Sequence, residues 1–166
     1  MGIFNKNSPQ AQPVTQRSDI SAVINRAPAK EAERLAWAQP ELDYMSRSLS
    51  VEENVLNVAS CSEIMGGVTF GIIALMKTRI IAVVGLRDRG GPRGRPIGQP
   101  NVHVFDFKDL YDLSFGSKNV RGVPGYYATF NVTGHGEVIL DIGQDDVWAN
   151  GFLGQAKQEM NRFKLA

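Results

Sequence analysis

Histidine, cysteine and long apolar runs are scarce in this sequence of 166 residues, and each shortage closes off a class of function. Cys61 is the one cysteine, so no disulfide can form within the chain and the fold cannot depend on an oxidising compartment. His103 and His135 are the two histidines, and together with Cys61 they offer no zinc-site spacing. Ser60-Cys61-Ser62 has no histidine nearby in sequence, so the thiol reads as a small apolar core group. The acidic pairs are Glu52-Glu53, Asp106 with Asp109, and Asp145-Asp146. The last suits a helix start, where the backbone dipole favours negative charge, and nothing in the spacing gathers the others. The expectation is a protein that is not an enzyme, with no catalytic residue, metal ligand or cofactor site.

An excess of charge is missing too. Eighteen Lys and Arg face seventeen Asp and Glu, a net charge of +1, so any charge-driven binding must come from a local patch. The longest apolar stretches, 68–75 and 80–86, are split by Lys77 and Arg79. Neither reaches the ~20 residues of a membrane-spanning helix. Residues 1–16 contain no apolar segment of the secretory type, and Lys6 stands where a myristoylation signal wants Ser or Thr. These features predict a cytoplasmic protein, or one belonging to a particle assembled in the cytoplasm.

Residues 1–17 are polar, rich in Asn, Gln and Pro, and read as a flexible tail with one apolar spot at Ile3-Phe4. Residues 18–49 have helical grammar. Ser18 or Asp19 can cap a turn carrying Ile20, Val23 and Ile24, Pro28 opens 29–39, and Pro40 opens a helix with Leu42, Met45 and Leu49 on one face. Two or three such short helices are marginal alone and must dock on something.

From Ser50 the period changes. Ser50-Val51-Glu52-Glu53 has capping-box spacing, enough for one turn. Seven strands follow, at 54–62, 68–75, 79–86, 101–107, 110–115, 125–133 and 137–142. The sixth alternates cleanly, with Tyr126, Ala128, Phe130 and Val132 on one face. Residues 145–163 return to helical period, capped by Asp145 or Asp146. They carry one broad apolar stripe of Trp148, Ala149, Phe152, Leu153, Ala156, Met160 and Phe163.

The residues from 50 to 163 resemble the bacterial PH-like domain family, of the pleckstrin-homology superfold. Glu52-Glu53-Asn54-Val55-Leu56 is similar to the acidic approach to that family's first strand. Leu75-Met76-Lys77-Thr78-Arg79 followed by Ile80-Ile81-Ala82-Val83 resembles its turn after strand two, with Met76 where the family shows Thr. Phe105-Asp106-Phe107-Lys108-Asp109-Leu110 is similar to its approach to strand five. The resemblance implies a mainly β chain: a seven-stranded antiparallel barrel or sandwich capped by a C-terminal helix, here over 50–166, after a helical arm at 18–49. It also implies a binding or self-association role. The loop that carries phosphoinositide-binding residues in eukaryotic relatives is here 62–67, without a basic residue.

The segment 87–96 is the most unusual. Arg87, Arg89, Arg93 and Arg95 stand among glycines and prolines against one acid, Asp88. Guanidinium groups on such a chain suit phosphates or carboxylates, and a solvated hairpin loop is the plainer alternative. All four are expected to project from one hairpin end. The glycine-rich stretch 116–125 adds Lys118 and Arg121, which would complete a cationic rim if both loops open at one end.

Two functions follow. One is a non-enzymatic protein-interaction or scaffold module, self-associating or part of a larger assembly such as a phage or mobile-element particle. Leu42, Met45 and Leu49 would then be its assembly contacts, in cis or in trans. The other is a polyanion binder gripping nucleic acid or anionic lipid through the arginine segment.

Overall fold

The apolar runs without alternation, 70–76 and 80–85, form strands buried on both faces, and this sets the architecture. The computed structural model describes residues 17–64, 67–142 and 146–166. Of the flexible tail expected over 1–17, residues 1–16 with Ile3-Phe4 lie outside the described residues, as do the turn residues Met65 and Gly66 and the cap Asp145, whereas Arg17 is held by hydrogen bonds to Ser50 and Glu53. The chain is mainly β. Three helices, α1 (Ser18–Arg26), α2 (Ala29–Trp37) and α3 (Gln39–Ser48), precede the strands. The strands are β1 (Asn57–Cys61), β2 (Thr69–Leu75), β3 (Arg79–Leu86), β4 (Asn101–Asp106), β5 (Leu110–Val120), β6 (Val123–Val132) and β7 (Gly136–Asp141). The long helix α4 (Asp146–Leu165) follows.

The strands make two antiparallel sheets in plain meander order, β1-β2-β3-β4 and β5-β6-β7. They meet at one corner through the bridge Ser62–Asp141, and their ladders do not close into a continuous barrel among the described residues. Between the sheets lies one core, with Ile73, Leu75, Ile80 and Phe105 on one side and Leu113, Phe130 and Leu140 on the other. Phe105 stacks on Phe130 at 4.3 Å between ring centroids. α4 runs across one end of this core. Trp148 Nε1 donates to the Val58 carbonyl at 2.9 Å, and at the far end Phe163 meets Phe107 while Lys164 Nζ donates to the Leu110 carbonyl. Among the described residues no helix is long and apolar enough to cross a membrane.

A second core explains the fully apolar strands. Phe70, Ile72, Ala74, Ile81 and Val83 point away from the first core, and α1–α3 cover them with Ile20, Val23, Leu35, Leu42 and Met45. The first four-stranded sheet is thus the middle of three layers, which is why its central strands show no polar face. The helices are held at their edges by polar clamps. The Arg17 guanidinium donates to the Ser50 and Glu53 carbonyls, and the Asp19 carboxylate accepts the Val55 N–H at 2.8 Å. The Ser50–Glu53 box forms as its spacing predicts, Ser50 N–H donating to Glu53 Oε2 at 3.0 Å.

One expectation is corrected. The composition of 116–125 points to a loop, with strand five ending at Phe115. Instead β5 and β6 continue as one ladder to the pair Val120–Val123. The turn is Arg121 (φ 50°) and Gly122 (φ 82°), both left-handed, the geometry that matches strand twist in a two-residue hairpin. Asn119 Oδ1 accepts the Gly122 N–H and fixes the turn. Near its outer end Tyr127 lies back along its own strand. Tyr127 Oη donates to the Val123 carbonyl, and Tyr127 and Thr129 are buried although they face away from the first core.

Candidate functional surfaces: the arginine ribbon and the open sheet edges

The segment after β3 is an ordered ribbon rather than a solvated loop. Arg87 bridges Pro96, Asp88 N–H donates to the Arg95 carbonyl at 2.9 Å, and Asp88 Oδ1 accepts the Arg95 N–H at 2.8 Å. The four arginines do not project together. Arg87 continues the β3 face that carries Ile81, Val83 and Gly85 towards the helices, and its side chain is buried against Glu41 of α3. The Nη2–Oε1 distance is 2.5 Å, and each side chain is 2 % exposed. Its Nη1 donates to the Gly94 carbonyl, and its guanidinium lies 5.5 Å from the Phe70 ring centroid. Arg34 of α2 also lies over the Phe70 ring, at 5.2 Å. Gly85 makes room for this pair, because a Cβ there would overlap Glu41 Oε1.

Arg93 stacks on Trp37 at 4.8 Å and lies 3.7 Å from Glu33, both on α2. Arg95 leans on Asp88 at 3.5 Å and is largely exposed, as is Arg89. Arg87 is therefore the one arginine of the four that is buried between the helical layer and the sheet; Arg93, although it rests on Trp37, stays exposed with Arg89 and Arg95. Burial raises the Glu41 carboxyl above its ordinary value, against the pull of Arg87. A single monodentate ion pair does not repay the dehydration, and Glu41 Oε2 and Arg87 Nε have no hydrogen-bond partner.

Lys118 and Arg121 sit on the β5–β6 hairpin rather than on a loop. Lys118 Nζ donates to Thr129 Oγ1 at 2.9 Å. Arg121 lines a crevice of about 350 Å³ shared with Glu63, Glu137 and Ile139, so carboxylates flank it. Leu42 and Met45, expected as assembly contacts, are fully buried on the chain's own sheet, and Leu49 is half-buried beside them. The structure therefore docks them in cis.

Sequence reading missed three polar groupings. Glu31 of α2, 2 % exposed, accepts from both the N–H and the hydroxyl of Ser60. Glu63 crosses the inner face of the first sheet to His103 on β4, Nε2 lying 3.0 Å from Oε2, with Asn101 at 3.2 Å. Gly71 on β2 lets the β3 backbone approach closely, because a Cβ there would overlap the Val83 carbonyl. The third is Glu41–Arg87. Separations of 29, 40 and 46 residues hide all three, and a glutamate on a short helix reads by default as solvated. Burial pushes the Cys61 thiol well up, which keeps it protonated and unreactive.

The outer edges of β4 and β5 have no partner strand among the described residues. Beside them Val102, Val104 and Tyr111 are exposed, while β1, β2 and β3 are buried on both faces except at their ends. No protein-family model matches the chain, and no curated protein matches it either.

Proposed function

We propose that this chain is a non-enzymatic protein-interaction module with a pleckstrin-homology-like core. It would act by self-association or as one component of a larger assembly, such as a phage or mobile-element particle, in the cytoplasm. The four-plus-three meander with a C-terminal helix across one end supports the fold half of this reading. The observation that carries the functional half is the pair of open edges at β4 and β5, with Val102, Val104 and Tyr111 exposed beside them. Unpaired strand edges present ordered donors and acceptors that a partner can extend. The anionic-partner alternative is weakened because Arg87, one of its four arginines, is buried against Glu41 of α3.

Light scattering on the full chain, across protein concentration and at two salt levels, tests the proposal. A mass that rises above the monomer's 18.2 kDa and persists at moderate salt supports it. A strict monomer whose heparin or oligonucleotide binding collapses with salt overturns it in favour of the polyanion reading.

A further inference from the structure

We infer that β5 pairs antiparallel with β5 of a second copy, in a single register centred on Phe115; this inference rests on the interaction reading above. The two-residue turn makes Val120–Val123 a hydrogen-bonded pair, and Lys118–Gly125, Gly116–Tyr127 and Ser114–Thr129 share its parity. The N–H and C=O groups of Leu113, Phe115 and Ser117 therefore face the open edge. A two-fold axis at Phe115 pairs those residues among themselves, Leu113 with Ser117 of the second copy and Phe115 with its own counterpart.

The same axis sets Asp112 opposite Lys118 of the second copy, and by symmetry it does so twice. Asp112, Ser114, Gly116 and Lys118 all stand on the outer face, so each charged pair meets directly and the small residues Ser114 and Gly116 face one another between the two pairs. On the inner face the half-buried Phe115 rings become neighbours. Moving the axis one residue either way puts Asp112 opposite Gly116, or Lys118 opposite Ser114, and moving it two puts Asp112 opposite Ser114, or Lys118 opposite Gly116; none of these registers matches the charges. This complementarity selects a second copy as the occupant. In the single chain Asp112 accepts a long bond from Asn131 at 3.4 Å and Lys118 donates to Thr129 at 2.9 Å, and both residues are exposed. The register irregularity between Leu110 and Asp112, and the Lys164 bond to the Leu110 carbonyl, end the free edge at its start.

The test is sedimentation of the full chain with Asp112→Lys, with Lys118→Asp, and with the two variants mixed. Each variant sets like charges opposite one another in its own dimer, which destabilises a strand pair. Each is expected to dissociate about tenfold more readily at low salt, with unchanged melting curves. In the mixture the introduced lysine of one variant meets the introduced aspartate of the other, and the native Lys118 still meets the native Asp112. A heterodimer of near wild-type affinity should therefore form. An associating wild type whose variants associate equally well, or variants that stay apart when mixed, overturns this register and leaves the interaction reading standing. A wild type that is monomeric at every concentration overturns this pairing together with self-association, and leaves of the reading above only assembly with other proteins.

Discussion

Glu41 on α3 and Arg87 at the end of β3, 46 residues apart, form an ion pair that seals the helical layer onto the four-stranded sheet. Each leaves one polar atom without a partner, so the pair specifies where α3 sits more than it stabilises the fold. Arg87→Met strands the Glu41 carboxylate and should cost about 3–5 kcal/mol in a urea titration. Adding Glu41→Leu should recover most of that loss. A single variant within about 1 kcal/mol of wild type would mean the pair is not desolvated.

The pH response of the Arg87→Met protein follows from Glu41. A carboxyl raised above its unfolded value binds protons more tightly when folded. Its favourable contribution is complete below about 4.5 and is lost as pH rises through the folded value. Arg87→Met should therefore lose stability from about pH 4.5 towards neutrality, relative to wild type. Melting curves across pH read this directly, and parallel profiles for the two proteins would contradict it.

Asp19 gives the opposite sign. Burial alone would raise its carboxyl, but the Val55 N–H, the Arg17 guanidinium and the Ile20 N–H outweigh it and hold the value below 3.8. Its contribution is present above 3.8 and lost as pH falls through the folded value. Asp19→Asn should cost about 1–2 kcal/mol at pH 7, typical of a bond to a charged acceptor at a partly solvated site. The gap to wild type should shrink below pH 3.8, and a gap that stays constant there refutes the assignment.

Most elements are legible in local pattern. The hairpin at Met76–Arg79, the alternation of β6 and the apolar stripe of α4 each follow from neighbours in sequence, and β3 occupies the predicted span. What escapes a local reading is set by distant partners. Gly116-Ser117-Lys118-Asn119 has loop composition, yet pairing with β6 carries β5 to Val120. Arg87 reads as exposed because nothing near it in sequence announces Glu41. The surface proposed for assembly also moves, from the apolar face of α3 to the sheet edges, because Leu42 and Met45 are consumed by the chain's own second core.

α4 offers a separate check on the first core. Phe152 is fully buried there, so Phe152→Ala should cost about 3–5 kcal/mol. Trp148 is half-buried and contributes a hydrogen bond to Val58 as well as contact area, so Trp148→Phe should lose about 1 kcal/mol. Equal losses at the two positions would mean α4 does not lie across the end of the sandwich as described.

Hydrogen exchange followed against protein concentration separates docking within one chain from pairing between chains. The amides of α3 around Leu42 and Met45 cover a core of their own chain, so they should exchange only through near-global opening, at a rate independent of concentration. The amides of Leu113, Phe115 and Ser117 face an open edge in the single chain and should exchange quickly when dilute. If β5 edges pair, those three slow as concentration rises, while their neighbours Ser114 and Gly116, already bonded to β6, do not change. Concentration-dependent protection at Leu42 and Met45 would instead show α1–α3 exchanging between copies. Fast exchange at the β5 edge at every concentration would place the assembly surface elsewhere, with β4 the next edge to examine.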